Sequence, residues 1–321
     1  MRLAVLLALP LLATALLGAT APALGRRLHP ASVVRLLPVA GVVGAATSGF
    51  SLSVVALVLL GHAAGVAALG HWSVRSLPGP GLPWAWGLPV AVVVAALLLA
   101  STVHVVRVLA QLWRAELACR DLGGPRSGAV VVVDAPAADA YAIPGVRGRV
   151  LVSTGMLAAL DPGERRALLA HERSHLAHRH HLWIQAAEVA RVANPLLRAL
   201  PGLVRSACEQ EADLDAAHSV RSPQVTARAL ARAALARGTR TPPPGLAATG
   251  ADVAERIETL LAPGPRHPRG AVAALLAAAV LATLVVSAAS ADVTEDSFER
   301  ARAVAAGAGA EPHRAPPRPP S

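Results

Sequence analysis

Four long runs without a charged side chain constrain this sequence more than any other feature. They cover residues 3–24, 36–74, 84–106 and 270–291. A helix needs about 20 apolar residues to cross the hydrocarbon core of a bilayer. Charged residues make up only 16 % of the chain, well below the roughly one quarter of soluble domains. The sequence therefore predicts a multi-pass membrane protein with spans at 3–24, 42–69, 84–106 and 269–291.

Two of these runs allow a second interpretation. The first resembles a secretory signal peptide with a small-residue cleavage site at Ala19-Thr20-Ala21, although Pro22 after the cut and the later runs favour a span. The second run is long enough for two short spans joined by a turn at residues 47–49. A single tilted span that ends near Leu69 fits its length better.

The positive charge of the chain gives the orientation. The net charge is +10 with 30 basic residues, all of them Arg, which indicates a biased base composition and requires no nucleic-acid partner. Arg residues concentrate after the first run, after the third and before the fourth, so the positive-inside rule predicts that residues 107–268 are cytosolic. The chain is thus expected in the cell membrane. The Arg residues concerned are Arg26, Arg27, Arg35, Arg107, Arg114, Arg120, Arg266 and Arg269.

The segment between the third and fourth spans has the size of one domain. Strands are predicted at 129–134 and 149–153. A helix is predicted to start at Asp161-Pro162-Gly163-Glu164, where the Asp can cap the helix and the Glu can complete a capping box. Further helices are predicted at 202–219, 222–237 and 252–261. The predicted fold is mainly α, with residues 1–106 as the membrane region, an α+β domain at 107–268, the fourth span at 269–291 and a short disordered tail at 292–321.

The first helix of this domain contains His171-Glu172-Arg173-Ser174-His175. Two His residues four positions apart project from one face of a helix, so both imidazoles can bind a single zinc ion. Glu172 then lies beside the metal, where it can take a proton from a water molecule. This pattern predicts one zinc ion per chain.

The third ligand remains a choice between candidates. His181 has the spacing of a metzincin ligand, but His178 stands where that geometry needs Gly, and no Met-turn follows. Glu209 is favoured, with Glu211 as the fallback. Glu209 and Asp213 share one helix face, although this acidic face could also simply be solvated.

Asp213 is the predicted support for a ligand, because it can accept the outer N–H of His171. The remaining histidines of the cluster, His178, His180 and His181, are expected on the solvent or headgroup side of their helix.

In these motifs the sequence resembles the gluzincin membrane peptidases, which include Ste24-type prenyl endopeptidases, HtpX and the BlaR/MecR antibiotic sensors. The matching segments are Ala142-Ile143-Pro144-Gly145, residues 149–155, His171-Glu172-x-x-His175 and Glu209-x-x-Ala212-Asp213. The order of spans is most similar to the BlaR/MecR type.

The resemblance implies zinc at His171, His175 and Glu209, with Glu172 as general base and Asp213 in the second shell. It also implies an edge strand on which an extended substrate is laid by β-addition. The residues of this expected edge strand are Arg149, Val150, Leu151, Val152 and Ser153. His218 is a candidate for an additional oxyanion donor.

In the BlaR/MecR sensors a penicillin-binding domain follows the last span, whereas a short tail follows here, so β-lactam sensing is not expected. The expected function is that of a zinc endopeptidase that cuts a cytosolic or membrane-proximal protein, with a repressor of a signalling pathway as one candidate substrate. Two alternatives stay open, a quality-control peptidase of the HtpX type and a non-catalytic signalling protein with a vestigial metal site. The expected partners are a protein or peptide substrate and the lipid bilayer.

Overall fold

The computed structural model describes residues 2–77, 83–121, 129–146, 148–238, 250–262 and 270–308. Residues 241–244, whose Thr-Pro-Pro-Pro sequence predicts a linker, lie outside these residues, as do Arg266 and Arg269. The strands are β1 Ala129–Val133, β2 Ala140–Ile143 and β3 Arg149–Ser153. The helices are α1 Arg2–Arg27, α2 Pro30–Gly61, α3 Ala64–Gly70, α4 Gly87–Asp121, α5 Thr154–Ala159, α6 Pro162–Ala177, α7 His180–Ala193, α8 Leu200–Val220, α9 Pro223–Arg237, α10 Gly250–Leu261 and α11 Ala271–Ala308.

Four stretches of helix are long and apolar enough to cross a membrane. They are Leu3–Arg27, Pro30–Gly61, Trp84–Arg120 and Ala274–Gly307. This confirms the mainly helical prediction with several apolar helices and a small sheet. The second helix begins before the predicted residue 42, passes through residues 47–49 without a turn, and ends at Gly61 instead of Leu69.

The last helix is also longer than predicted. It continues to Ala308, so residues 292–308, which were expected to belong to a disordered tail, are helical. The reason is local, because this stretch is rich in Ala, Glu and Arg, which have high helix propensity. Residues 309–321 lie outside the described part of the chain.

The chain forms two compact units. Unit 1 comprises residues 1–16, 43–100 and 278–321. Within it, the Thr14 hydroxyl donates to the carbonyl oxygen of Gly44 at 3.0 Å. The Ser48 hydroxyl donates to the hydroxyl oxygen of Thr14 at 2.8 Å. Such small polar residues allow α1 and α2 to approach closely and supply hydrogen bonds between apolar helices. The Trp72 ring packs edge-on against Phe298 at 5.0 Å.

Unit 2 comprises residues 17–42 and 101–277. It therefore contains the domain predicted at 107–268 and, in addition, a helical hairpin made of the end of α1 and the start of α2. Glycines let this hairpin lie close to the helices of the domain. A Cβ atom on Gly18 would stand 2.3 Å from the carbonyl oxygen of Leu196, and one on Gly41 would stand 2.5 Å from Leu200 Cδ2.

The sheet of unit 2 has the order β1-β3-β2. β1 is parallel to β3 and β2 is antiparallel to it, with Ala142 opposite Val150. All five residues of β3 are buried. The expectation that Arg149–Ser153 is an edge strand is therefore wrong for the described sheet, where β3 is the central strand. β2 was not predicted because four residues, Ala-Tyr-Ala-Ile, give too short a pattern to recognise.

A small apolar core joins this sheet to the helices behind it. Its buried residues are Ala140, Val152, Met156, Leu160, Leu168 and Ala233. The core fixes α6 against β2 and β3, and α6 is the helix that carries the His-Glu-x-x-His motif.

The start of α6 follows the sequence prediction. Asp161 accepts the N–H of Glu164, and the Glu164 carboxylate accepts the N–H of Asp161, so both halves of the capping box are present. The end of α6 was not predicted. Arg179 has a left-handed backbone with φ 52°, and this residue separates α6 from α7.

Candidate metal centre

Three potential ligands converge between α6 and α8. The Nε2 atoms of His171 and His175 are 3.1 Å apart. The Glu209 carboxylate lies 3.6 Å from the first and 3.5 Å from the second. Four ligands placed tetrahedrally at about 2.0–2.1 Å from zinc stand about 3.3 Å from one another. The spacing of the three donor atoms and their chemical nature therefore fit a zinc ion.

The outer nitrogen of His171 is held by a carboxylate. His171 Nδ1 donates to Asp213 Oδ1 at 3.0 Å. Arg256 of α10 binds both oxygens of Asp213 at 2.8 Å and also lies 3.0 Å from Glu209 Oε2. Asp213 and Arg256 are 5 % and 13 % exposed, so this bidentate pair is shielded from water and fixes the ring of His171.

The outer nitrogen of His175 is held by a second histidine. His180 Nδ1 lies 2.8 Å from His175 Nδ1, and His180 Nε2 lies 3.2 Å from Glu211 Oε2. Arg35 of α2 then contacts Glu211 Oε1 at 3.0 Å. His180 is 1 % exposed, so its expected position on the solvent side is wrong.

The break at Arg179 explains this error. In a continuous helix, His180 would be turned by about 180° from His171, at roughly 100° per residue. The left-handed residue ends α6, and His180 starts the next helix with its ring against His175. His178 is half-buried and binds Asp215 at 2.9 Å.

Glu172 is buried beside this triad, with 7 % of its surface exposed. Burial raises the pKa of its carboxyl, although the nearby charges of His171 and Arg237 act in the opposite direction. The backbone amide of Ala142 in β2 also lowers the pKa of this carboxyl, but less than these charges do. A carboxyl with a raised pKa holds a proton more readily than an ordinary Glu, as a general base requires.

The electrostatics of the triad favour a cation. Burial opposes protonation of His171, but its hydrogen bonds with Asp213 and Glu209 outweigh this effect and raise its pKa to about 10. Burial and the positive charge of His171 lower the pKa of His175 to about 3. The hydrogen bond and the charge of His171 outweigh burial at Glu209, so the pKa of that carboxyl is lowered. The site thus offers a cation two groups, the ionised carboxylate of Glu209 and the neutral imidazole of His175.

The structure brings together His171, Glu172, His175, Glu209 and Asp213. It does not bring the other candidates to the triad. Glu211 binds His180 and Arg35 instead. His181 lies on α7 outside the group of ligand atoms. His218 is exposed in the last turn of α8, nine residues or about 13 Å along the helix from Glu209.

Three residues of the site were missed by sequence reasoning, namely Arg35, His180 and Arg256. Arg35 and Arg256 come from elements distant in sequence, and no local pattern indicates their partners. The only available signal was the sequence position of Arg256, within the short helix predicted at 252–261.

One comparison with known proteins gives a match. The sequence model of peptidase family M48 matches residues 106–195, which include the His-Glu-x-x-His motif and end before Glu209. Peptidases of this family are typically zinc-dependent. No curated protein and no solved structure matches the chain. The match supports a metallopeptidase related to family M48, whereas the assignment of Glu209 rests on the sequence pattern and on the geometry of the structure.

Proposed function

We propose that this chain is an integral-membrane zinc endopeptidase. The observation that carries the proposal is the convergence of His171, His175 and Glu209 at tetrahedral spacing, with Glu172 buried beside them. The match to family M48 supports the same activity, and four long apolar helices support a place in the membrane.

In this proposal each residue of the site has one task. His171, His175 and Glu209 would hold a zinc ion, which when bound would polarise the scissile carbonyl and acidify a water molecule. Glu172 takes the proton of the attacking water on its carboxylate and delivers it to the leaving amine. Asp213 and Arg256 keep the His171 ring in the orientation in which Nε2 faces the metal.

The substrate strand of this proposal is β2 instead of β3. β2 lies at the edge of the described sheet, and the backbone amide of its Ala142 influences the pKa of Glu172. A peptide that pairs with this edge would lie alongside the triad, as in β-strand addition. Arg237 donates to the carbonyl of Ala140 at 2.8 Å, so a substrate would have to replace this side chain on the edge.

The proposed substrate is a cytosolic or membrane-proximal protein. Arg-rich flanks of the apolar runs support a cytosolic position of residues 107–268 by the positive-inside rule. A repressor processed in a signalling pathway, as for the BlaR/MecR type, is the proposed substrate class.

The test measures zinc content and proteolysis on the same samples. Full-length protein in detergent is analysed by metal mass spectrometry and incubated with host lysate, and new protein N-termini are identified. We expect about one zinc per chain in the wild type, in Glu172→Gln and in the control Glu258→Gln, whose side chain is exposed on α10. New N-termini should appear with the wild type and the control only.

Two results would refute the proposal. One is a folded wild type without zinc. The other is a zinc-loaded Glu172→Gln variant that produces the same N-termini as the wild type, since loss of a general base should slow hydrolysis by about 10²- to 10⁴-fold. A single dominant substrate would indicate processing, and a broad set would indicate quality control.

A further inference from the structure

A chain of contacts connects the zinc ligand His175 to Arg35 on α2. We infer that Arg35 is a positioning residue of the metal centre, which acts on His175 through Glu211 and His180. The inference rests on the proposed zinc site and adds to it a residue from an apolar helix that lies far from the motif in sequence.

The first step is the proton arrangement between the two rings. Glu211 is a carboxylate and can only accept, so His180 Nε2 donates to it across 3.2 Å. In neutral His180 the Nδ1 atom is then an acceptor, and His175 Nδ1 donates to it across 2.8 Å. This arrangement leaves the lone pair of His175 on Nε2, the atom that faces His171 and Glu209. His180 therefore determines both the tautomer and the orientation of this ligand.

The second step is the position of the Glu211 carboxylate. Glu211 is 7 % exposed, and a buried carboxylate needs a cation or hydrogen bonds to remain ionised. His180 binds one of its oxygens, and Arg35 binds the other at 3.0 Å. Without Arg35, the carboxylate would lose its only cationic partner among the ion pairs of the described residues.

The third step is the rigidity of Arg35 itself. Its Nη1 atom donates to the carbonyl of Ala31 one turn earlier at 2.7 Å, and its Nη2 atom lies 3.3 Å from His178 Nδ1. On the same part of α2, Val33, Val34 and Leu37 are 0–1 % exposed. The guanidinium is thus held by its own helix, and this part of α2 belongs to unit 2.

The two ligand histidines have parallel arrangements. His171 is supported by Asp213 and Arg256, and His175 is supported by His180, Glu211 and Arg35. Each series of contacts ends in an Arg side chain that belongs to an element other than α6 and α8, the two helices that carry the ligands. The series that ends at Arg35 contains one additional ring, that of His180. The Arg35 side chain is 41 % exposed, whereas that of Arg256 is 13 % exposed.

The test measures zinc affinity and ligand geometry, neither of which is an activity. Full-length protein in detergent is titrated with zinc against a chelator, and its cobalt(II)-loaded form is examined by visible absorption. The variants are Arg35→Gln, Arg35→Lys, Glu211→Gln and the double variant Arg35→Gln/Glu211→Gln. Arg26→Gln is the control, because Arg26 lies on the same hairpin with an exposed side chain.

Loss of an outer partner of a ligand His typically weakens metal binding by about 10- to 100-fold. We expect a smaller loss of zinc affinity, about 3- to 10-fold, for Arg35→Gln because its side chain does not touch the ligand directly and is partly exposed and screened. The cobalt spectrum should change in Arg35→Gln, and Arg35→Lys should recover part of both effects. The double variant should bind zinc no more weakly than Glu211→Gln alone, because both act through one chain.

The outcomes separate this inference from the proposed function. A wild type that binds no zinc would refute both. A wild type that binds zinc, with Arg35→Gln indistinguishable from Arg26→Gln in affinity and spectrum, would refute the role of Arg35 only. If Arg35→Gln does not fold, Glu211→Gln decides, because this nearly isosteric variant must then show the affinity and spectral change by itself.

Discussion

Replacement of Gly18 by Ala tests whether the helical hairpin is part of unit 2. A Cβ at this position would stand 2.3 Å from the carbonyl oxygen of Leu196 and 3.1 Å from its carbon. Leu196 lies in a 3-10 turn, and its N–H is bound by the Asn194 side chain at 3.1 Å. The obstacle is therefore a fixed backbone, and α1 must move away to accept the methyl group.

The size of the effect follows from two opposing terms. Overpacking typically costs about 1–3 kcal/mol, and the change from Gly to Ala in a helix contributes about 1 kcal/mol of stabilisation. A contact of 2.3 Å with backbone places Gly18→Ala near the upper end, so the net loss should be about 1–2 kcal/mol. For a unit of this size that corresponds to a lower Tm by roughly 2–8 °C.

The matched control is Gly49→Ala in α2. A Cβ on Gly49 would meet no atom within 4 Å, so the helix propensity acts alone and the Tm should rise. Both variants are compared with the wild type by thermal unfolding of the full-length protein in detergent, followed by circular dichroism. If Gly18→Ala raises the Tm as much as Gly49→Ala does, α1 does not pack against this turn and the composition of unit 2 is wrong.

Three further predictions concern the metal, the pH dependence and the thiols. Glu209→Ala should reduce zinc to well below one per chain and His181→Ala should retain it, as measured by metal mass spectrometry; retention in Glu209→Ala would mean that another group is the third ligand. Hydrogen bonds to Asp161 from the Glu164 and Gly163 amides lower its pKa from 3.8. The ionised Asp161 therefore stabilises the folded state fully above pH 3.8, and this stabilisation is lost as the pH falls through the lower pKa of the folded state. The difference in Tm between wild type and Asp161→Asn should therefore shrink as the pH falls below 3.8; a constant difference would contradict this role of the cap. Burial and the charge of Glu209 raise the pKa of Cys208 to about 12, so roughly one thiol in 10,000 is ionised at pH 8. Alkylation of Cys208 by iodoacetamide should therefore require unfolding. Rapid labelling of Cys208 in the native protein would contradict this buried environment.

The sequence was informative wherever a single element determines the outcome. The spacing of His171 and His175 places both rings on one helix face, and the capping residues at Asp161 fix where that helix starts. The strand Arg149–Ser153 was predicted with the bounds that β3 has in the structure.

The errors arise where distant elements meet. Whether β3 is central or an edge strand depends on β2, whose four residues carry little pattern. His180 reaches His175 only because Arg179 adopts a left-handed backbone, a conformation that its residue type does not indicate. Arg35 and Arg256 bind their carboxylates through contacts that no local spacing predicts.

The contacts of Arg35 with residues far along the sequence also bear on when the site can be completed during synthesis. Arg35 and its contact His178 are 143 positions apart in the chain. At about 5–20 residues per second, a ribosome needs roughly 7–30 s to cover that distance. Glu211 and Glu209 emerge still later, on α8. A nascent chain therefore holds His171 and His175 for some time without Glu209, and the three candidate ligands can converge only after most of unit 2 has been made.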